Sequence, residues 1–455
     1  MSGLTAAQKI FFSSQQTKDI NFRIAQLKIL EKAILEYESS LTKALFQDLG
    51  RSEMDSYTSE IGFCLKEISH QLKNLKKWCQ PKRVHTNRLM FPLGKSFILQ
   101  EPLGRVLIIG PWNYPFALII SPLIGALAAG NCVTLKPSEI APQTAQVLQA
   151  MIEKFFPKEY LQVIQGGPEQ TQALLKQKFD YIFFTGSPRV GQIVMEAAAK
   201  NLTPLTLELG GKSPCIVAQD CDLEKAADRI VYGKFLNAGQ TCVAPDYLLV
   251  QADIKTELIK KLKATIHKFY GPRIEQSPDY SRIINAKHFT RLVSYLQDVQ
   301  IIYGGQKDPQ KLFLAPTLVD KCENSKIMQE EIFGPILPLI QYTNEAEVID
   351  FVNQRPKSLA LYLFSNNKKL QKNILAQTST GGVCLNDVLF HIANLELPFG
   401  GVGESGFGRY HGQASFETFS NTKSVFQNTV LFETPRFPPG SKSFLKMLRR
   451  CYMCF

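Results

Sequence analysis

Apolar residues recur at helical spacing through the N-terminal part of the chain. One apolar stripe runs through residues 27–45 and is followed by Gly50, and a second runs through 61–75 and stops before Pro81. Side chains three and four positions apart share one face of a helix, so both stripes predict amphipathic helices. Residues 83–104 then predict a short β-hairpin.

Beyond this hairpin, short apolar segments alternate with amphipathic ones. Such alternation predicts crossover units, a parallel sheet and helices on both faces of that sheet. This pattern is typical of a dinucleotide-binding half, in which ligands bind at the carboxyl ends of the strands. The predicted strands are 105–109, 132–136, 160–164, 181–185 and 205–209, and the predicted helices are 115–129, 142–155, 169–177 and 188–199.

A second α/β block follows from about Gly210 to His411. Its pattern predicts a helix at 222–237, strands near 246–250 and 361–364, and a Gly-rich segment at 400–408. Residues 424–432 predict one more strand. A proline-rich stretch and a basic, apolar terminus end the chain.

The longest uncharged run, residues 106–135, is long enough to raise the question of a membrane span. Pro111, Pro115 and Pro122 interrupt it, and each would break the backbone hydrogen bonds of a lipid-facing helix. The segment is therefore expected to fold as strand, turn, helix and strand.

The formal net charge of +12 is unevenly distributed along the chain. Residues 1–100 carry +6 and residues 433–455 carry +4, which leaves +2 on the remaining body. The densest basic stretch lies between Glu67 and Glu101 and contains no acidic residue. No nucleic-acid-binding signature accompanies it. We therefore expect no nucleic-acid partner, and a solvated or subunit-contact surface instead.

The cysteines and histidines predict neither disulfides nor a metal site. Ten cysteines are scattered along the chain, and charges interrupt residues 1–30, so no apolar core of a signal peptide is present. A reducing, cytoplasmic location is expected. The six histidines form no HxxxH pair, and the only close cysteine pair is Cys451 and Cys454, so no metal is expected.

Two segments match familiar nucleotide-binding motifs only in part or outside their usual context. Residues 401–406 fit GxGxxG but follow Pro398 rather than an early strand and open no periodic helix. Residues 211–213 look like the end of a phosphate-binding P-loop, but the first glycine of that motif would be Thr206. Nucleotide hydrolysis is therefore unsupported.

Six other segments occur together in the order found in one enzyme family. They are 110–115 (GPWNYP), 184–187 (FTGS) with Gly191, 208–214 (ELGGKSP), 237–242 (NAGQTC), 330–335 (EEIFGP) and 397–403 (LPFGGVG). Read together, they resemble the NAD(P)-dependent aldehyde dehydrogenases over about residues 20–430. Residues 239–247 and 408–412 resemble the class 3 branch, which includes fatty and aromatic aldehyde dehydrogenases.

This resemblance implies what each part of the α/β fold does. We expect a Rossmann-like dinucleotide-binding domain, a second α/β catalytic domain and a small bridging β element. The expected parts are N-terminal helices of the cofactor domain (1–82), a bridging hairpin (83–104), the NAD(P)-binding core (105–209), the catalytic domain (210–411), a bridging or oligomerisation strand (412–432) and a basic, apolar tail (433–455).

The resemblance also implies three catalytic residues. An aldehyde has no leaving group, so a thiolate must add to its carbonyl before hydride can leave, and Cys242 is the expected nucleophile. Asn113 is expected to donate to the alkoxide beside the Cys242 backbone N–H. Glu208 is expected to activate the water that hydrolyses the thioester. The alternative roles are a buried structural cysteine, a turn asparagine and a glutamate that pairs with a lysine.

The family's cofactor positions map onto the strand ends. Gly186, Ser187 and Gly191 would open a helix whose N-terminal N–H groups face the pyrophosphate, with Trp112 also beside the cofactor.

The expected nucleophile, Cys242, has a further requirement. A thiol needs a base or a positive field to ionise at neutral pH, and the sequence does not show which one operates.

Four further residues match ribose and nicotinamide positions of the family. Lys136 and Glu139 match the adenosine ribose site, and Glu331 and Phe333 match positions beside the nicotinamide ribose and ring. Because a glutamate favours free ribose hydroxyls over a 2′-phosphate, NAD is the expected cofactor, with NADP possible. The alternative for Glu331 and Phe333 is a turn at a strand end.

The expected substrate is an aldehyde, either medium- or long-chain aliphatic or aromatic, which is oxidised to the acid. The class 3 branch is usually dimeric, so a homodimer is expected. One rival function transfers the acyl group to coenzyme A, although relatives that do so typically lack the base that Glu208 supplies. A second rival is a non-catalytic cofactor-binding scaffold.

The tail interleaves basic and apolar residues over too short a length to span a bilayer. Peripheral membrane contact through residues 440–455 is one interpretation, and a disordered or dimer-docked end is the other. Cys451 and Cys454 do not start a prenylation motif, although either thiol could be palmitoylated.

Overall fold

The computed structural model describes residues 2–88, 91, 93–429, 431 and 437–452. The chain begins with helices and then forms the first two strands of a small sheet. These elements are α1 (Ser2–Ser13), α2 (Ile20–Leu49), α3 (Glu53–Ser56), α4 (Gly62–Trp78), β1 (Lys82–Val84) and β2 (Lys95–Pro102).

Local chemistry sets the bounds of the long helix α2. The Asp19 side chain accepts from the Asn21 backbone N–H at its start, and Gly50 adopts a φ of 63° directly after its end. A left-handed residue stops a helix, and glycine adopts that conformation without steric cost. The predicted stop at Gly50 is therefore confirmed.

The next part of the chain alternates strands and helices as predicted. Its elements are β3 (Arg105–Ile109), α5 (Ala117–Ala129), β4 (Cys132–Lys136), α6 (Pro142–Phe155), β5 (Leu161–Val163), α7 (Pro168–Leu175), β6 (Tyr181–Thr185), α8 (Pro188–Ala199) and β7 (Leu205–Glu208). The uncharged run 106–135 thus divides into β3, α5 and β4, as expected from its prolines.

The second α/β block contains most of the remaining elements. They are β8 (Pro214–Val217), α9 (Leu223–Phe235), β9 (Tyr247–Gln251), α10 (Lys255–Tyr270), α11 (Ala286–Ser294), β10 (Gln300–Tyr303), β11 (Lys307–Asp308), β12 (Phe313–Leu314), β13 (Thr317–Asp320), β14 (Ile336–Tyr342), α12 (Glu345–Asn353), β15 (Ala360–Phe364), α13 (Lys368–Gln377) and β16 (Gly382–Leu385). The last elements are β17 (Gly406–Phe407), α14 (Gly412–Thr418), β18 (Ser420–Gln427) and α15 (Lys442–Tyr452).

Among the described residues, the strands form two large sheets, one small three-stranded sheet and the antiparallel pair of β11 and β12. The first sheet has the strand order β17-β7-β6-β3-β4-β5, with β17 antiparallel and the other strands parallel. The second has the order β10-β13-β14-β9-β8-β15-β16, with β10 antiparallel. The small antiparallel sheet joins β1, β2 and β18.

Both faces of the first sheet are covered. Val106 and Ile108 on β3 belong to a large apolar core, whereas Leu107 and Ile109 belong to a second cluster that includes residues of α7 and α8. Because successive side chains of a strand face opposite sides of a sheet, the near-continuous apolar sequence of β3 reflects burial on both faces.

Two predicted boundaries are wrong. The helix predicted at 222–237 ends at Phe235, because Asn237 and Ala238 adopt left-handed φ values of 53° and 51°. The strand predicted at 424–432 instead runs from Ser420 to Gln427, and Phe432 lies outside the described residues. Each residue of β18 pairs with β2, so the length of β2 sets the length of β18.

The Gly-rich segment 400–408 contributes a strand rather than a phosphate-binding helix. Gly403–Ser405 forms one 3₁₀ turn, and β17 then pairs with β7, Gly406 opposite Glu208. The chain therefore returns to the first sheet beside Glu208. In the part of the chain that the structure describes, no helix is both long and apolar enough to cross a membrane.

Candidate active site

Cys242 follows a tight left-handed turn after α9. Asn237, Ala238 and Gly239 have φ values of 53°, 51° and 74° in succession. A Cβ atom on Gly239 would lie 2.3 Å from the Gly334 carbonyl oxygen, so only glycine fits there. This turn leaves the Cys242 side chain half-buried, where it lines two cavities.

Asn113 is fixed by hydrogen bonds on both its backbone and its side chain. Its Nδ2 donates to the Gln240 carbonyl oxygen at 3.0 Å. Its own carbonyl oxygen accepts from Asn237 Nδ2 at 2.9 Å and from Arg51 Nη2 at 2.7 Å. An amide carries two N–H donors, so one hydrogen of Asn113 Nδ2 remains for another acceptor.

A buried ion pair lies behind Asn113. The Arg51 guanidinium contacts the Glu60 carboxylate, and both side chains are almost completely buried. Glu60 Oε2 also accepts from the backbone N–H groups of Phe116 and Ala117 at 2.8 Å, so it caps the start of α5. Burial raises the pKa of Glu60, and the Arg51 charge opposes that shift. Sequence reasoning missed this pair, because Arg51 lies in the loop between α2 and α3, Glu60 lies just before α4, and no sequence pattern links either residue to the loop before α5.

Glu208 ends β7 and is 2% exposed. Neither of its carboxyl oxygens has a hydrogen-bond partner among the described residues. Burial raises the pKa of Glu208 well above its ordinary value, and the charge of Arg409 opposes the shift. A buried carboxyl group that no donor stabilises is a good proton acceptor near neutral pH.

The surroundings of the Cys242 thiol disfavour its ionised form. Burial raises its pKa, and the nearby carboxylates of Glu331 and Glu208 raise it further. The backbone N–H groups of Cys242 and Val243 favour the thiolate and oppose the shift. Ionisation of this thiol therefore needs a base, and Glu208 lines the same two cavities.

A groove of about 630 Å³ lies at the carboxyl ends of the strands of the first sheet. Gly186 and Ser187 line it where α8 begins, and Asn113, Glu208 and Cys242 lie at its inner end. Its five basic lining residues are Arg189, Lys212, Arg291, Arg355 and Lys357. A helix N-terminus among basic side chains suits a diphosphate, so the groove fits a dinucleotide cofactor.

The rings of Trp112 and Phe333 contact each other in the wall of this groove. Their ring centroids are 5.3 Å apart, nearly perpendicular, and the Trp112 ring also lies 4.8 Å from His288. Burial and the neighbouring Arg291 and Lys287 charges lower the pKa of His288 to about 4. His288 is therefore neutral and contributes an uncharged ring to the groove wall.

Glu331 lies directly against the backbone of the Gly210–Gly211 loop. A Cβ atom on Gly210 would lie 2.2 Å from the Glu331 carboxylate, so the motif glycine makes room for that side chain. Burial first, and the Asp246 charge second, raise the pKa of Glu331 to about 8. The Ile332 backbone N–H donates to Asp246 Oδ1 at 3.0 Å, and Arg291 Nη2 donates to the Ile332 carbonyl oxygen at 2.9 Å. These two hydrogen bonds hold the segment that follows Glu331.

Three predicted cofactor residues lie outside the residues that line the groove. Lys136 ends β4 at the same sheet edge, and its Nζ donates to the Pro137 carbonyl oxygen at 2.7 Å and to Glu139 at 3.4 Å. Gly191 is buried one turn into α8, and a Cβ atom there would lie 2.8 Å from Leu209. Gly191 therefore brings α8 close to the end of β7.

A second cavity, of about 370 Å³, meets the groove at Cys242 and Glu208. Its lining is mainly apolar and includes Phe63, Leu236, Leu389, Phe390, Ile392 and Phe399. The residues common to both cavities are Leu118, Thr185, Glu208 and Cys242. Cys242 and Glu208 can therefore meet an apolar compound from one side and a dinucleotide from the other.

Two more charged residues near the site escaped sequence reasoning. Lys234 on α9 is fully buried, and its Nζ has no hydrogen-bond partner among the described residues. Burial lowers the pKa of Lys234 to about 8, and the charge of Asp246 opposes the shift. Lys212 contacts Asp246 and donates to the carbonyl oxygens of Ile327 and Glu330, which fixes the segment before Glu331. The available sequence signal for the burial of Lys234 was its position within the apolar stripe of a helix.

Comparison with known proteins agrees with this geometry. The sequence profile of the aldehyde dehydrogenase family matches residues 3–425. The chain is 51% identical over 440 residues to a 4,4'-diaponeurosporen-aldehyde dehydrogenase of Staphylococcus aureus, covering 96% of each chain. It is 48% identical over 436 residues to the Macaca fascicularis aldehyde dehydrogenase family 3 member A2, covering 95% of this chain and 90% of the relative.

Comparison with solved structures also indicates the aldehyde dehydrogenase family. A structure described as the substrate-bound state of Staphylococcus aureus AldH superposes with a TM-score of 0.97 at 49% identity, covering 99% of each chain. These relatives support oxidation of an aldehyde to the acid, and they support neither acyl transfer to coenzyme A nor a non-catalytic scaffold. The α/β fold class is confirmed. The chain therefore belongs to the aldehyde dehydrogenase family, in its class 3 branch, and is an NAD(P)-dependent enzyme that oxidises aldehydes to carboxylic acids.

Proposed function

We propose that Cys242, Glu208 and Asn113 carry out the oxidation at the junction of the two cavities. One observation carries this proposal: Cys242 and Glu208 both line the apolar cavity and the cofactor groove. Glu208 takes the thiol proton, and Cys242 Sγ then forms a bond to the aldehyde carbon. The resulting oxyanion accepts hydrogen bonds from the Cys242 backbone N–H and from the spare hydrogen of Asn113 Nδ2.

The second half of the reaction uses the same residues. A bound oxidised nicotinamide would supply the acceptor for the hydride that leaves the substrate carbon, which becomes a thioester on Cys242. Glu208 releases the thiol proton to solvent and is a carboxylate again. It then takes a proton from water, whose oxygen forms a bond to the thioester carbon as the C–S bond breaks. The products are the carboxylic acid and the Cys242 thiolate.

The proposed cofactor is NAD, with NADP as the alternative. The N-terminal N–H groups of α8, after Gly186 and Ser187, would hold the pyrophosphate. Trp112, Glu331 and Phe333 would contact the nicotinamide riboside, because all three line the groove beside Cys242. Gly191 would serve by keeping α8 close to β7.

The adenosine ribose would bind at Lys136 and Glu139. This proposal rests on their position at the carboxyl end of β4, where the Gly110 N–H donates to the Lys136 carbonyl oxygen at 3.1 Å. The Glu139 carboxyl group is 42% exposed and therefore accessible to ribose hydroxyls. A carboxylate there would repel a 2′-phosphate, which favours NAD.

The proposed substrates are medium- or long-chain aliphatic aldehydes or aromatic aldehydes. The apolar lining of the second cavity supports this choice, because a hydrocarbon chain gains free energy when it leaves water for such a surface. The exposed Phe390 and the nearby Ile392 and Ala393 extend this lining.

We propose a cytoplasmic homodimer for the assembly. The eight cysteines from Cys64 to Cys384 are free thiols, which suits a reducing compartment. The exposed strand β18 forms the edge of the small sheet, and such an edge offers unpaired backbone groups to a second copy. The segment 412–432 would then serve oligomerisation.

The tail is proposed to contact membranes peripherally through residues 440–455. In α15, Phe444, Leu445, Met447 and Leu448 fall on one face at spacings of three and four residues. Lys442, Lys446, Arg449 and Arg450 fall on the other face. Cys454 and the side chain of Cys451, the candidates for lipidation, lie outside the described residues.

A direct assay tests this function. Purified protein is given decanal or benzaldehyde with NAD, with NADP, and with each cofactor plus coenzyme A, while reduced cofactor and carboxylic acid are measured. Acid should form with either cofactor and without coenzyme A, and NAD should give the higher kcat/KM. Dependence of turnover on coenzyme A would reject the proposed hydrolytic step.

A further inference from the structure

A buried polar atom of the apolar cavity has no role in the proposed reaction. His411 is 1% exposed and lines the cavity together with Cys242. Its Nε2 has no hydrogen-bond partner among the described residues. A polar atom that leaves water without gaining a partner destabilises the fold. In a ligand cavity, such an atom indicates a partner that the ligand itself supplies.

The other ring nitrogen of His411 is fully engaged. His411 Nδ1 lies 3.3 Å and 3.4 Å from the two carboxyl oxygens of Glu67 and 3.1 Å from Ser121 Oγ. The Ser121 hydroxyl donates to Glu67, so its oxygen is left to accept. Both neighbours therefore accept from Nδ1, so this network places a hydrogen on Nδ1. Nε2 is the ring nitrogen that is left without a partner.

The surrounding residues hold this ring in one position. The rings of Phe63, Phe399 and Tyr410 lie 5.3 Å, 5.7 Å and 3.9 Å from the His411 ring, centroid to centroid. Gln71, one helical turn after Glu67 on α4, donates to the Gly412 carbonyl oxygen at 2.7 Å. A polar atom held by packing and by a second hydrogen bond is preorganised to select its partner.

We propose that His411 is a substrate-specificity residue whose Nε2 forms a hydrogen bond with a hydroxyl group on the hydrocarbon part of the aldehyde. The preferred substrates are then hydroxyl-bearing aldehydes. An ammonium group could also donate, but an apolar cavity disfavours a desolvated cation. This inference rests on the proposed function, because the same cavity must deliver the aldehyde carbon to Cys242.

Matched pairs of aldehydes test the proposal. The probes are 8-hydroxyoctanal, 10-hydroxydecanal and 12-hydroxydodecanal, each compared with the alkanal in which a methyl group replaces the hydroxyl: nonanal, undecanal and tridecanal. The measured quantity is the ratio of kcat/KM within each pair. Wild-type protein should prefer the hydroxyl compound in at least one pair by roughly tenfold, the worth of one buried hydrogen bond.

Two variants separate the two ring nitrogens. His411→Asn keeps an amide near Nδ1 for Glu67, lacks an atom at Nε2 and suits the positive φ of 73° at this position. This variant should lose the preference for the hydroxyl compound. His411→Gln places an amide near Nε2 and should retain part of it.

His391 provides a matched control. Its Nε2 is also buried without a partner among the described residues, and its Nδ1 contacts Cys384 Sγ at 3.1 Å, but it does not line the cavity. His391→Asn should leave the ratio unchanged. The proposal is overturned if wild-type protein prefers no hydroxyl compound, or if His411→Asn keeps the wild-type ratio. Failure to oxidise any alkanal would instead reject the proposed function.

Discussion

Arg51 Nη2 donates to the backbone carbonyl oxygen of Asn113 at 2.7 Å, so a buried guanidinium on the N-terminal side of the fold fixes the proposed oxyanion donor. The same guanidinium lies 4.5 Å from the centroid of the Tyr114 ring. Tyr114 OH in turn lies 2.7 Å from Thr241 Oγ1, next to Cys242. The N-terminal helices therefore position both halves of the reactive site.

Replacing this guanidinium should destabilise the protein. Arg51→Leu leaves the Glu60 carboxylate buried without its counter-ion, which costs about 3–5 kcal/mol in comparable sites. Urea unfolding followed by fluorescence measures the loss. Lys154→Met, which breaks the exposed pair with Glu36, is the control and should change stability little. Equal midpoints for Arg51→Leu and wild type would contradict the anchoring role of this pair.

The nucleophile is tested by Cys242→Ala. Removal of the thiol prevents any bond to the aldehyde carbon, so turnover should fall below detection while NAD binding, measured by calorimetry, persists. Cys221→Ala removes another half-buried thiol, outside both cavities, and should retain activity. Turnover of more than a few per cent in Cys242→Ala would assign the chemistry to another group.

The proposed reactive residues were predicted mainly from the resemblance of their motifs to one enzyme family. Glu208 ends a buried parallel strand, so the strand pattern also placed it at the ligand-binding edge of the sheet. Cys242 follows helix α9 and no strand of that sheet, so only the resemblance placed it beside Glu208. The division of residues 106–135 into β3, α5 and β4 followed from three prolines in an uncharged run.

Other parts of the site depend on contacts that no local pattern records. Glu67 and His411 are separated by 344 residues and meet only because α14 returns to α4. The pairing of Gly406 with Glu208 is similarly remote, so the sequence pattern did not predict β17. Gly191 was expected to bind the pyrophosphate. A Cβ atom at this position would lie 2.8 Å from Leu209, so close packing between α8 and the end of β7 explains why the residue is a glycine.

The base is tested by Glu208→Gln. The amide can take a proton neither from the Cys242 thiol nor from water. Both the first release of reduced cofactor and the later steady-state turnover should therefore slow, the turnover by at least about a hundredfold relative to wild type. Stopped-flow absorbance resolves the two phases. Glu404→Gln alters another carboxylate of the groove and serves as the control. Unchanged steady-state rates in Glu208→Gln would place water activation elsewhere.

Glu331 should make stability depend on pH near neutrality. Its folded pKa of about 8 lies above the ordinary value of 4.5, so the folded state binds the extra proton between these two values. Stability from this group is therefore present at low pH and is lost as pH rises through about 8. Glu331→Gln should reduce the fall in Tm between pH 5 and pH 9 by roughly 5 °C. Parallel pH profiles of the two proteins would show that Glu331 titrates normally.

The tail should bind anionic membrane independently of catalysis. Leu445 and Met447 are 49% and 42% exposed on the apolar face of α15, and nothing of that helix enters either cavity lining. Each basic residue near an anionic surface contributes about 1 kcal/mol, and salt screens that attraction. Full-length protein should therefore co-sediment with phosphatidylserine vesicles at low salt, and a chain truncated after Phe432 should not.

Leu445→Asp with Met447→Asp keeps every basic residue and should weaken binding, which separates insertion of the apolar face from charge attraction alone. Activity of the truncated protein on benzaldehyde should match that of the full chain, because Cys242, Glu208 and Asn113 lie in the α/β body. Equal sedimentation of the two chains would exclude the tail as a membrane contact, and loss of all activity on truncation would show that α15 supports the catalytic body.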